Sequence, residues 1–87
     1  MGIFIPMSIR QPEPITDFAL CALVHRMWSR GGNLEARSIS LCFASKLNQQ
    51  WSEEFHAETF RRLKALVRSG ELRRQRFLKG RPFYTIS

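Results

Sequence analysis

Apolar positions along this chain change their spacing three times, and each change marks an element. From Phe18 to Trp28 they are nearly continuous: Phe18, Ala19, Leu20, Cys21, Ala22, Leu23, Val24, Met27 and Trp28 cover most of a helical circumference at about 100° per residue. Thr16 is suited to cap such a helix, Asp17 to sit at the positive end of its dipole, and Gly31-Gly32 to stop it. The pattern predicts a first helix over about 16–29. A helix apolar on so many sides has to be covered on more than one. Either it crosses the middle of the domain, or one face meets a second copy. His25 lies in this helix and is expected at the edge of the core.

The pattern then turns irregular. Asn33 to Ile39 mixes Leu34, Ala36 and Ile39 with Glu35, Arg37 and Ser38, which predicts a loop holding a two- or three-residue strand. Ser40 is placed to cap a second helix over about 41–51, with Phe43, Ala44, Leu47 and Trp51 in one stripe and Lys46 and Gln49 facing away. Polar residues from Gln49 to Glu54 make the next turn, and a third helix begins between 52 and 56 and ends at Gly70. With Phe55 at 0°, Leu66, Thr59, Leu63, His56, Val67 and Phe60 fill an arc of about 140°, and Ala57, Glu58, Arg61, Lys64 and Arg68 take the opposite side. After Gly70, two β-prone stretches, Leu72–Leu78 and Phe83–Ile86, flank the turn sequence Lys79-Gly80-Arg81-Pro82. This predicts a hairpin with Tyr84 and Ile86 facing inward and charge on both faces of its first strand. At the other end, residues 1–14 alternate loosely until Pro12 and Pro14 and read as an extended N-terminal arm ahead of a domain over 15–87.

Composition narrows the fold class. Eighty-seven residues with 44% hydrophobic side chains, seven Phe and two Trp support one domain with one small core, mainly α with a small β-hairpin. Cys21 and Cys42 have no second Cys or His at ligand spacing, so no metal site or disulfide framework is expected, only two buried thiols in a reducing compartment. No catalytic constellation, glycine-rich phosphate loop or cofactor motif appears, so the chain does not read as an enzyme and no small-molecule substrate is evident. With no signal peptide and no apolar run long enough for a bilayer, the expected setting is cytoplasmic or nucleoid-associated, without a membrane partner.

Charge changes the picture more. The formal net charge is +7, yet residues 1–60 carry five basic and six acidic side chains. The window Arg61–Arg81 holds nine of the fourteen basic residues and a single acid, Glu71. One helix and one hairpin therefore carry the excess. Such a concentration repels itself in isolation and gains when a polyanion replaces its counterions.

The segments LCFASKL (41–47), ETFRRLKALVRSGEL (58–72) and GRPFYTI (80–86), in this order, resemble the winged helix-turn-helix superfamily of DNA-binding domains over about residues 15–87. The resemblance implies a three-helix core with a C-terminal wing, helix 3 in the major groove of double-stranded DNA, and a role in transcription regulation. On that reading Arg61, with Arg62 or Glu58, reaches base edges, Glu58 by accepting from a cytosine amino group. Lys64 and Arg68 reach phosphates, and Arg73, Arg74, Arg76, Lys79 and Arg81 hold the backbone from the wing, with Arg81 at the minor groove. Two features depart from the superfamily pattern. The turn at Gln49–Phe55 is longer than its usual three or four residues, and Glu53, Glu54 and Glu58 stand at the end of helix 3 that enters the groove. The acids also have a structural reading, because they offset the helix dipole and Glu58 can pair with Arg62 four residues on. Two alternatives use the same features. One is a protein–protein interaction module, including a homodimer through helix 1 and the N-terminal arm. The other is an RNA-binding protein, with Phe77 and Phe83 as its stacking candidates.

Overall fold

A computed structural model of the chain describes residues 11–76 and 80–86. The expectations for residues 1–10 of the arm, and for Phe77, Leu78 and Lys79 of the hairpin, lie outside that range. Three helices, α1 (Asp17–Ser29), α2 (Ala36–Lys46) and α3 (Glu53–Ser69), are followed by an antiparallel hairpin of β1 (Leu72–Gln75) and β2 (Phe83–Ile86). The hairpin packs on the helices, α1 against β2 and α3 against β1. The topology is winged-helix-like.

The helix ends follow from local chemistry. Thr16 Oγ1 accepts from the Ala19 N–H at 3.1 Å and Ser52 Oγ from the Phe55 N–H at 3.0 Å, each satisfying a donor the first turn leaves open. All three helices stop by one device. The chain turns left-handed at Gly31 (φ 71°), Asn48 (φ 56°) and Gly70 (φ 89°), and the next amide bonds back five residues, Gly32 to Met27, Gln49 to Ala44 and Glu71 to Leu66. Asn is the one non-glycine residue among the three, in keeping with its tolerance of that region.

Helix 2 differs from the sequence expectation. It starts at Ala36, not 41, and ends at Lys46, before Trp51. Its buried stripe is Ile39, Ser40, Phe43 and Ala44, continued by Leu47, and it is entered through Asn33, whose Oδ1 accepts from the Glu35 N–H at 2.9 Å. Ser40 is therefore no cap. It is fully buried, donating to the Arg37 carbonyl (3.0 Å), accepting from Trp51 Nε1 (3.0 Å) and lying 2.8 Å from His56 Nδ1. Gln49, expected on the outer face of this helix, lies beyond its end, and its Nε2 donates to the Glu13 carbonyl while Leu47 O accepts from Glu13 N–H. Those two bonds fix where the chain enters the domain. The strand expected within 33–39 reduces to one bridge, Glu35 to Phe83, supported by Tyr84 N–H donating to Leu34 O at 3.0 Å. That bridge makes β2 the inner strand and leaves β1 on the edge.

The core gathers Leu20, Leu23, Val24, Phe43, Leu47, Phe55, Leu63, Leu66, Leu72 and Tyr84 between the helices and the hairpin. Helix 1 does not cross its middle. One face packs, while Phe18 is 85% exposed and Ala22 and His25 are also exposed, so His25 stands clear of the core edge. The thiols depart from expectation too: Cys21 is half-buried and Cys42 exposed, because Cys42 sits off the stripe set by Ile39, Phe43 and Leu47. Tyr84 and Ile86 do face inward, and Thr85 is buried as well, its Oγ1 accepting from Gln75 Nε2 across the hairpin.

Two buried hydroxyls, Thr59 Oγ1 and Tyr84 Oη, have no hydrogen-bond partner among the described residues, and burial pushes the Tyr84 phenol above its ordinary pKa. An unsatisfied buried hydroxyl costs about 1–3 kcal/mol. Tyr84→Phe keeps the ring and removes that penalty, so urea denaturation is expected to show a gain of about 1 kcal/mol. A loss of similar size would mean that the hydroxyl is bonded in solution.

Candidate nucleic-acid interface

Helix 3 buries Phe55, Thr59, Leu63 and Leu66 against the core, which fixes what it presents to solvent. Ala57, Arg61, Lys64 and Arg68 are exposed, as the helical arcs predict, and Glu58 of the same arc is half-buried. Acids occupy the first turn, Glu53 and Glu54, and Arg68 the last, each at the end of the helix dipole that favours it.

The cations on this face are not equivalent. Arg62 is half-buried, and its Nη1 donates to Asp17 Oδ1 of α1 at 2.8 Å while its Nε donates to Glu58 Oε2 at 2.8 Å. The hydrogen bond to Asp17, ahead of the one to Glu58, raises its pKa further. It forms a strap between α1 and α3. Arg61 is held by the same glutamate: Nη2 lies 2.6 Å from Oε1 and 2.7 Å from Oε2, and Nε is 3.2 Å from Oε1. Hydrogen bonds from Arg61 and then Arg62 hold the Glu58 carboxyl below the usual carboxylate range, so it stays ionised throughout neutral pH. Both oxygens of Glu58, expected at a cytosine, are thus already occupied.

Lys64 stands 4.9 Å from the centre of the Phe60 ring. That ring stacks on His56 (centroids 6.2 Å apart, planes 5° apart), which in turn lies beside Trp51, with Arg37 over the indole at 5.2 Å. This aromatic row fixes the flank of helix 3, and Ser40 anchors it from below. Sequence reading missed the row because its members come from three segments. The spacing of His56, Phe60 and Lys64 at i, i+4 and i+8 was the one legible part. Asp17, Arg61, Arg62, Lys64, Ala65 and Arg68 together line an open cleft of about 450 Å³ between the start of α1 and the outer face of α3.

On the hairpin, register pairs Arg73 with Thr85 and Arg74 with Tyr84, so the two arginines lie on opposite faces of the edge strand. Arg73, Arg74 and Arg76 are exposed, and with Arg68 they form no ion pair with a described residue. Arg81 is 79% exposed and reaches Glu35 only loosely, at 3.9 Å. Charge on an unpaired strand edge also opposes edge-to-edge aggregation. α3 packs on β1, so the helix that carries Lys64 and Arg68 and the strand that carries Arg73 and Arg74 are neighbours in the fold.

Among the described residues there is no group of three or more His, Cys, Asp or Glu able to hold a metal ion, and no helix is long and apolar enough to cross a membrane. No protein-family model, curated protein or solved structure matches this chain, so any functional reading rests on the geometry of its own residues.

Proposed function

We propose that the domain binds double-stranded DNA and acts as a small sequence-preferring regulator of transcription, with α3 in the major groove and the hairpin along the sugar–phosphate backbone. One observation carries this reading: Lys64 and Arg68 on the outer face of one helix, Arg73 and Arg74 on the edge strand packed against that helix, and Arg76 just past the end of that strand pair with no described acid. A 17-residue helix is about 25 Å long, and the major groove, about 12 Å wide, admits it. Cations from the two faces of the wing then meet phosphates beside that groove, which positions the helix without reading sequence.

A second reading has its own support in Phe18, 85% exposed on α1 beside exposed Ala22 and His25, which offers a face to another protein. A homodimer through this face is compatible with DNA binding, since two copies would read two half-sites.

Selection from a pool of random duplexes tests both. The expected result is an enriched duplex motif that single-stranded RNA does not compete away, with two half-sites if α1 joins two copies. Equal competition by RNA, or no enrichment over the starting pool, would overturn the duplex-reading role.

A further inference from the structure

Four side chains of alternating charge run outward from α1 across α3: Asp17, Arg62, Glu58 and Arg61. The links are 2.8, 2.8 and 2.6 Å, and exposure of the side chains rises from 29% at Arg62 and Glu58 to 72% at Arg61. The two middle members, Arg62 and Glu58, are fixed by a contact between two helices, and the two ends meet more solvent, Asp17 at 55% and Arg61 at 72%. Exposed ion pairs of this kind add little stability. Their geometric effect is larger. An arginine side chain on a helix surface normally samples many rotamers, whereas Arg61 is held through Nε and Nη2 by one carboxylate that Arg62 in turn holds in place.

We infer that Glu58 is a positioning residue that converts Arg61 from a mobile phosphate binder into a fixed reader of guanine. This rests on the duplex-binding reading above. The guanidinium has five N–H donors in a rigid fork. Glu58 takes Nε and, through both its oxygens, Nη2, while Nη1 makes no contact with it, so the two Nη1 N–H donors are left at a fixed place. Guanine is the base that offers two adjacent acceptors, O6 and N7, on its major-groove edge. The carboxylate also repels phosphate, which disfavours every pose in which Arg61 merely neutralises the backbone. Specificity then comes from an attractive contact and a repulsive one together. Arg62 belongs to the support of this device and touches no base.

The test is binding of wild type, Glu58→Gln, Arg61→Ala and the double variant to the selected duplex, to duplexes with adenine replacing each guanine in turn, and to an unrelated duplex. Wild type is expected to prefer guanine by about 10- to 100-fold at one position, the range a good bidentate contact gives. Glu58→Gln should cut that preference at least fivefold while binding the unrelated duplex more tightly. In the Arg61→Ala background, Glu58→Gln should no longer change the preference, a coupling that a merely structural glutamate would not produce. Arg61 is 72% exposed and Glu58→Gln keeps the size of its side chain, and thermal denaturation of each variant checks the fold independently of binding. If Glu58→Gln strengthens all duplexes equally and leaves the preference intact, Glu58 is only a repelling charge and the inference fails while duplex binding stands. If wild type binds no duplex, the functional reading fails first.

Discussion

Raising the salt concentration from 50 to 200 mM is expected to weaken duplex binding about a thousandfold. The figure follows from which cations are free. Arg61 and Arg62 are neutralised by Glu58 and Asp17, leaving Lys64, Arg68, Arg73, Arg74, Arg76 and the loosely held Arg81 to replace counterions. Six phosphate contacts at about 0.9 each give a log–log slope near −5, and a fourfold change in salt then spans about three powers of ten. Fluorescence anisotropy on one duplex over that range measures the slope directly. A slope shallower than about −2 would remove the wing from the backbone. A slope near −7 would show the opposite departure, with the Glu58 clasp opening so that Arg61 and Arg62 join the phosphate contacts.

How far the sequence foretold this surface depends on the range of the interactions involved. The start of α3 was bracketed to 52–56, and the ends of α1 and the stop of α3 were legible because Thr16, Gly31 and Gly70 act on their own first or last turn. The start of α2 was not. Ser40 has the composition of a cap, and only Trp51 and His56, eleven and sixteen residues away, make it a satisfied core hydroxyl. The stripe of Ala36, Ile39, Phe43 and Leu47 was a competing signal in the same segment, and burial of the apolar stripe decided the outcome.

The site divides in the same way. That the cations would lie on one helix face and one hairpin followed from periodicity, and the pairing of Glu58 with Arg62 followed from their i, i+4 spacing. What spacing did not show was that the same carboxylate also holds Arg61, or that Arg62 reaches Asp17 forty-five residues earlier in the chain. Those contacts depend on how α1 lies against α3, which is a property of the core. They matter because they remove two of the nine basic residues from the count of free charge and give one of them a fixed direction. The departure in the turn before helix 3 has a similar origin. Leu47–Ser52 separates the helices, with Asn48 ending α2 and Trp51 turned back onto Ser40 and Arg37, so the extra residues anchor the aromatic row beside helix 3.

Replacing Arg73, Arg74 and Arg76 together by Gln is expected to lower affinity for every duplex by about 100-fold at 0.15 M salt and to make the salt slope shallower by about 3. At that ionic strength each phosphate contact is worth about 0.7 log units, so three lost contacts give about two powers of ten, and the pair Lys64→Gln and Arg68→Gln on α3 about thirtyfold. The fold should survive the wing variant, because all three side chains are exposed, β1 is the edge strand, and Leu72 and the Gln75–Thr85 bond are untouched. Thermal denaturation checks this independently of binding. Sequence preference should also survive, since wing contacts to phosphate carry no base information and Arg61 remains clasped by Glu58. A larger loss from the α3 pair than from the wing triple would place most of the affinity on the helix. Loss of preference in the wing variant would mean that the wing reads sequence through groove shape, because a narrow minor groove attracts arginine at positions no side chain reads directly.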